Sequence, residues 1–85
     1  MALVHAGFGE YLRAQDIVAI TLTSSAPIQR MIKEAKKEKR ILDYTSGHRT
    51  KAAVFTLSGE VALVAITPEA LAGRVASARR GKHQD

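Results

Sequence analysis

The absence of cysteine from so short a chain is the feature that most limits how it can fold. A domain of 85 residues buries only about 60–65% of the surface that its unfolded chain exposes, so its core is marginal. Small domains gain the missing stability from disulfides, from a metal or from self-association. Without cysteine there is no disulfide and no thiolate metal site, and the three histidines, His5, His48 and His83, lack the spacing of metal ligands. We therefore expect one self-associating domain with no metal and no cofactor.

The net charge of the chain indicates which classes of partner it can bind. The chain has 13 lysine and arginine residues against 8 aspartate and glutamate residues, a formal net charge of +5. This charge favours nucleic acid as the first candidate partner and an anionic membrane as the second, and a basic protein with neither partner is the alternative. No apolar run approaches the ~18 residues of a membrane span. The N-terminus, MALVHAGFGE, also lacks the features of a secretory signal, so we expect a cytoplasmic protein with no membrane partner.

The N-terminal quarter of the chain predicts two or three strands. Leu3–Ala6 is a short apolar strand, and Gly7-Phe8-Gly9 interrupts it because paired glycines permit turn conformations that other residues resist. We expect Phe8 to pack into the core or against a neighbouring subunit. Glu10–Gln15 fits either a strand or an extended link. Ile17–Thr23 is rich in β-branched residues and predicts a mostly buried strand.

A helix is predicted to follow, from about Ala26 to Lys39. The preceding serines can cap its free backbone N–H groups, and Pro27 fits the first turn, where its missing N–H costs nothing. Apolar residues recur at helical spacing and predict one buried stripe. They are Ile28, Met31, Ile32 and Ala35.

The second half of the chain predicts three strands and a second helix. Ile41–Thr45 is a short strand candidate, and Thr50–Leu57 and Glu60–Ile66 form a hairpin across Ser58-Gly59. Thr67-Pro68-Glu69 has the residues of a helix start. The whole order predicts an α+β fold in which a small antiparallel-rich sheet packs on one main helix, with a short C-terminal helix added. We place the domain at residues 1–77 and a flexible basic tail at 78–85.

The segment Gly47-His48-Arg49-Thr50-Lys51 is the most informative candidate site. Three potential cations and a hydroxyl follow a glycine at the mouth of a predicted strand. The arginine fork binds two phosphate oxygens at once, and lysine acts as a point charge. The glycine lets backbone N–H groups approach the same phosphate. The sequence thus predicts a phosphate-binding loop, with a polar turn of solvated charges as the alternative.

The charges between Arg30 and Arg40 are more numerous but less specific. Two glutamates alternate with the cations at spacings that stabilise a helix without any partner. We interpret this run as a solvated helix face that adds long-range attraction for DNA. Two tyrosines, Tyr11 and Tyr44, fit edge or core positions better than base stacking. The histidines have no clustered carboxylates beside them, so we expect no catalytic site.

Four segments share their order and spacing with a known family. They are Gly7–Gly9, Ser25–Ile32, Gly47–Ala52 and Ala65–Glu69. Together they resemble the RemA-type family of bacterial biofilm-matrix regulators, over roughly Leu3 to Val75. The resemblance implies a transcriptional activator of extracellular-matrix genes. It also implies a ring-like homo-oligomer of about seven or eight subunits that presents basic residues around its perimeter to curved double-stranded DNA.

The resemblance also assigns candidate DNA contacts. Family members carry a consecutive arginine pair in the basic loop, where this chain has His48-Arg49, and Lys51 stands where another arginine is frequent. A further family arginine corresponds to Asp16, and an acid cannot contact phosphate. Arg13, three residues earlier, is a candidate replacement.

Three hypotheses follow for the function. The first is a sequence-tolerant DNA-binding regulator whose primary contacts are Arg49, Lys51 and His48, with Arg13 secondary and Arg30 assisting electrostatically. The second is a protein-interaction or structural ring module that binds no nucleic acid, a hypothesis favoured by Asp16. The third, RNA binding, shares the electrostatics of the first, although the paired aromatic residues of RNA-binding sheets are missing.

Overall fold

The computed structural model describes residues 2–80. Within them the chain forms six strands, two α-helices and a single 3-10 turn at Ala14–Asp16. The bounds are β1 (Leu3–Gly7), β2 (Glu10–Arg13), β3 (Ile17–Thr21), α1 (Ala26–Lys37), β4 (Ile41–Tyr44), β5 (Ala52–Thr56), β6 (Val61–Val64) and α2 (Pro68–Arg79). The strand order and both helix starts are those predicted, and Glu10–Arg13 is a strand. The structure is therefore α+β, as expected.

The strands form two sheets where we expected one. β1 and β2 make an antiparallel hairpin of their own, and the other four lie in the order β3-β5-β6-β4. The predicted hairpin of β5 and β6 is confirmed, and it places β6 between β5 and β4. As a result, β6 runs parallel to β4, whereas β3 and β5 are antiparallel. The four-stranded sheet thus contains one parallel pair among antiparallel ones.

Both faces of the four-stranded sheet are covered, because its central strands are apolar on both sides. Along β5 and β6 alternate side chains enter two separate clusters. Val54 and Val64 pack with β1, β2 and α2, whereas Ala53 and Leu63 pack with α1. The larger cluster is the one that contains α2, which buries Leu71 and Val75, whereas α1 buries only Ala35. The prediction of one main helix was wrong: both helices have 12 residues, and the C-terminal one covers more of the core.

Strand β3 is less buried than its composition suggested. It ends at Thr21, and Val18 and Leu22 are 61% and 60% exposed. The expectation of a mostly buried strand was wrong because β3 lies at the edge of the sheet, with a partner only on its β5 side. β-branched composition indicates a strand but does not indicate whether that strand is central.

The C-terminal helix continues past the expected domain boundary at residue 77. It ends at Arg79, and Ala78 packs against the larger apolar cluster. The Arg79 guanidinium donates to the backbone oxygens of Ala14 and Ile17, both at 3.2 Å. Residues 78–80 are therefore part of the folded domain, and residues 81–85 of the expected tail lie outside the described residues.

Candidate nucleic-acid interface

One end of the four-stranded sheet gathers the candidate functional segments. The strand registers define this end, since Thr21 pairs with Ala53, Ala52 with Val64, and Tyr44 with Val64. At this end β3, β4 and β6 finish and β5 begins. We call it the loop end of the sheet.

Each element that leaves or enters the sheet here brings one of the four family-like segments. Helix α1 begins shortly after β3, the basic loop connects β4 to β5, and α2 begins shortly after β6. The Gly7–Gly9 turn joins them, because a Cβ placed on Gly7 would lie 3.5 Å from Ile66 and Phe8 contacts the basic loop. Segments far apart in the sequence thus meet at the loop end.

The N-termini of both helices lie at this end and are capped. Ser25 Oγ accepts a hydrogen bond from the Ile28 N–H, and Thr67 Oγ1 accepts one from the Ala70 N–H, each at 3.3 Å. The positive ends of two helix dipoles are therefore on the same side of the protein as the basic loop. Both caps were predicted from the sequence, but their position at one end of the sheet was not.

Thr45, the first residue after β4, fixes the start of the basic loop. Thr45 is 4% exposed, and its backbone N–H and hydroxyl donate to Asp43 Oδ1 at 3.0 and 2.6 Å. These hydrogen bonds lower the pKa of Asp43 below its ordinary 3.8. The Thr45 backbone oxygen in turn accepts from the His48 N–H at 2.9 Å, and the Lys51 N–H donates to the Val64 oxygen at 2.8 Å. The loop backbone is fixed at both ends, while the side chains of His48, Arg49 and Lys51 are exposed.

The Gly7–Gly9 turn presents an aromatic ring to this loop. Its three residues have positive φ, at 99°, 52° and 80°, and Phe8 is the one with a side chain. The Phe8 ring stacks on His48 with centroids 4.6 Å apart and an interplanar angle of 18°. Phe8 is 51% exposed, because the left-handed backbone turns the ring outward, so it does not pack into the core of its own chain. The alternative, that it packs against a neighbouring subunit, stays a prediction.

The lysine-rich part of α1 is far from the loop end. A helix of 12 residues extends about 18 Å, and α1 runs back along the sheet to the opposite end, where Ile41 pairs with Val61. Arg30 lies in the second turn of α1, nearer the loop end, and is exposed. The later cations of this run lie toward the opposite end, where Arg40 bonds to Glu38 and to the Gly59 oxygen. This arrangement agrees with a solvated charge run, and within it the charge of Lys36 reaches Asp43 on β4 and helps to lower the pKa of that carboxyl.

Arg13 also lies at the opposite end, because it pairs with Leu3 at the far end of the β1–β2 hairpin. Its guanidinium donates to both Asp16 carboxylate oxygens, at 2.8 and 3.0 Å. The hydrogen bond and charge of Arg13 lower the pKa of Asp16, and Asp16 raises that of Arg13. The structure therefore does not bring Arg13 to the loop, and its charge is balanced by Asp16, the acid at the position where the family resemblance implies an arginine.

Other site classes find little support in the described part of the chain. Among residues 2–80 no three histidine or carboxylate side chains are grouped so that they could hold a metal ion. The same residues contain no helix with the length and apolar character needed to cross a membrane. Sequence reasoning missed Phe8 as a partner of the loop, and its only signal was an aromatic residue between two glycines.

Comparison with known proteins gives a consistent family. The family described as RemA-like, extracellular matrix regulatory protein A-like, matches residues 3–75. A candidate regulatory protein of Dehalococcoides mccartyi is 44% identical over 79 residues, which cover 93% of this chain and 82% of the relative. One from Synechococcus elongatus is 44% identical over 78 residues, with 92% and 90% coverage. One from Desulforudis audaxviator is 43% identical over 81 residues, with 95% and 85% coverage.

Proposed function

This chain belongs to the RemA-like family, and on that basis we propose that it is a cytoplasmic, non-enzymatic transcriptional regulator that binds double-stranded DNA as a ring-like homo-oligomer. We infer that its targets are extracellular-matrix genes, and the support for this is the family description, which names an extracellular matrix regulatory protein. The observation that carries the proposal is the exposed cluster of His48, Arg49 and Lys51 at the loop end.

The chemistry of this cluster suits the phosphate backbone. The guanidinium of Arg49 can bind two phosphate oxygens, and Lys51 adds a second permanent charge. The backbone that carries both is fixed through Thr45 and Val64, so little ordering is needed when DNA arrives. The capped N-termini of α1 and α2 add positive potential on the same side. Arg30 contributes at longer range.

The few cations of one subunit give weak, salt-sensitive binding, and a ring that repeats them increases the overall affinity for DNA. Linked sites raise avidity by about 10² or more where geometry allows simultaneous contact. The described residues offer apolar surface for self-association, with five large side chains between 53% and 70% exposed. They are Leu3, Tyr11, Val18, Leu22 and Leu57. Sequence selectivity would then come from repeated sites and from how easily the DNA bends.

Arg13 stays a secondary contact in this proposal, at a separate place on the ring. Its pairing with Asp16 reduces its attraction for phosphate. A DNA that approached this end would have to draw Arg13 away from the carboxylate. We therefore assign most of the affinity to the loop end.

Native mass spectrometry of the protein with and without a duplex tests the proposal as a whole. We expect a homo-oligomer of defined subunit number that takes up one or more duplexes. A monomer under all conditions would refute the ring. An oligomer that takes up no DNA would support the second candidate, a protein-interaction or structural ring, which the ion-paired Asp16 favours. Equal competition by duplex RNA would favour RNA binding instead.

A further inference from the structure

His48 is held between two protein groups and leaves one ring nitrogen free. One face of the imidazole lies against Phe8, with ring centroids 4.6 Å apart. Its Nδ1 lies 3.2 Å from the Thr45 backbone oxygen. The ring is exposed, and no hydrogen-bond partner for Nε2 is found among residues 2–80. The orientation of the ring is therefore set by the protein, with Nε2 directed away from Thr45.

The contact with Thr45 decides which nitrogen carries the proton. A carbonyl oxygen can only accept, so Nδ1 must donate to it. In the neutral ring, Nε2 then has a lone pair and no proton. A lone pair cannot bind a phosphate oxygen, which also only accepts. When the ring is protonated, both nitrogens donate, and Nε2–H becomes a charged donor directed outward.

We propose that His48 is a proton-dependent phosphate contact, positioned by Phe8, which makes the DNA affinity of this protein rise as the pH falls from about 8 to 6. The inference rests on the proposed DNA-binding function. An arginine at this position would keep its charge throughout this range. The histidine contact exists only in the protonated ring.

Phe8 sets the orientation of the His48 ring. Gly7 and Gly9, both at positive φ, hold the intervening residue so that its ring covers one face of the imidazole. The stack limits rotation of the His48 side chain and so keeps Nε2 directed outward. Phe8 is therefore a positioning residue, since it acts on phosphate only through His48.

Charged groups of both signs lie on the elements near the ring. Glu10 follows the Gly7–Gly9 turn, Asp43 precedes the last residue of β4 with one oxygen bonded to Thr45, and Arg49 and Lys51 lie on the loop. The charge of Lys36 on α1 also reaches Asp43 and helps to lower its pKa. Arriving phosphate adds negative charge beside the ring, and this charge favours the protonated ring. Binding to DNA is then coupled to proton uptake, with up to one proton for each subunit engaged.

The test is the affinity for a labelled duplex, measured by fluorescence anisotropy between pH 6 and pH 8 at constant ionic strength. For the wild-type protein we expect a weakening from pH 6 to pH 8 of about tenfold for each engaged subunit, the value of one charge-assisted hydrogen bond. His48→Arg should bind tightly at every pH, and His48→Gln weakly at every pH. His5→Gln is the matched control, because the His5 ring lies tilted against Tyr11 and not against Phe8, and it should keep the wild-type response.

Two further variants test the positioning role. Phe8→Leu removes the aromatic face at the same backbone conformation and should flatten the pH response, whereas Phe8→Tyr should retain it. NMR titration of the His48 ring should show protonation at higher pH when DNA is bound. A response that persists in His48→Gln would overturn the proton-dependent contact, and a full response in Phe8→Leu would overturn the role of Phe8. Loss of DNA binding by both wild type and His48→Arg at every pH would instead refute the proposed function.

Discussion

Replacing Arg49 with alanine should change how DNA binding depends on salt, beyond simply weakening it. Arg49 is exposed on a loop whose backbone is anchored by Thr45 and by the Lys51 N–H. Truncation of its side chain therefore leaves the loop in place and removes one permanent charge. If Arg49 contacts phosphate, the number of counterions released on binding falls with it.

The size of the effect follows from the loop. Each phosphate contact contributes about 0.9 to the slope of log affinity against log salt. Each engaged subunit offers two permanent cations, Arg49 and Lys51, and so contributes about 1.8. The variant retains about 0.9 for each subunit. The slope should thus fall to about half of the wild-type value, whatever number of subunits touches the duplex.

The assay is anisotropy of a labelled duplex between ~50 and ~200 mM salt, at one fixed pH for all variants. Lys37→Ala is the matched control, because it removes the same charge from an exposed position at the opposite end of α1. We expect its slope to stay close to wild type. If Arg49→Ala has the same slope as the wild type, Arg49 does not contact phosphate. If Arg49→Ala and Lys37→Ala reduce the slope equally, the effect comes from net charge and not from a local contact.

Three further predictions test the fold and the electrostatics. Leu71→Ala should lower the free energy of unfolding by about 2–5 kcal/mol, because Leu71 is fully buried. Met31→Ala should lower it by less than about 1 kcal/mol, because Met31 on α1 is half-exposed. If thermal unfolding shows similar losses of stability for both variants, α2 is not the main core helix. Asp16→Arg should strengthen DNA binding by about tenfold or more in the same anisotropy assay, and unchanged affinity would exclude a contact there. The lowered pKa of Asp43 means that its hold on the loop is complete above pH 3.8 and is lost as the pH falls through that lowered pKa. NMR shifts of the loop amides should follow this loss, and in Asp43→Asn they should not respond in that range.

Local features of the chain were predictable from the sequence because short-range chemistry determines them. Ser25 and Thr67 cap the two helices as expected, since a cap depends on residues within one turn. The β5–β6 hairpin forms across Ser58-Gly59 for the same reason: Gly59 adopts a φ of 90°, which the turn requires. The basic loop between two strands was located from its glycine and its neighbours alone.

Features that depend on contacts between distant segments were not predictable. Nothing near Phe8 in the sequence indicates that its ring meets His48, 40 positions later, and nothing near β6 indicates that it inserts between β5 and β4. The larger apolar stripe was on α1, yet α2 covers the main core, because what a helix buries depends on the sheet face it meets.

The length of the sequence, 85 residues, predicted one small domain, and local capping and turn chemistry determined its helices and strands. Only the tertiary structure decided which of its charges stand together. The parallel entry of β4 beside β6 brings the β4–β5 loop, the Gly7–Gly9 turn and two helix N-termini to one end of the sheet. The same packing leaves Arg13 paired with Asp16 at the other end. Charge interactions weaken with distance through space, and distance in space is fixed by the packing of the sheet and not by position along the chain.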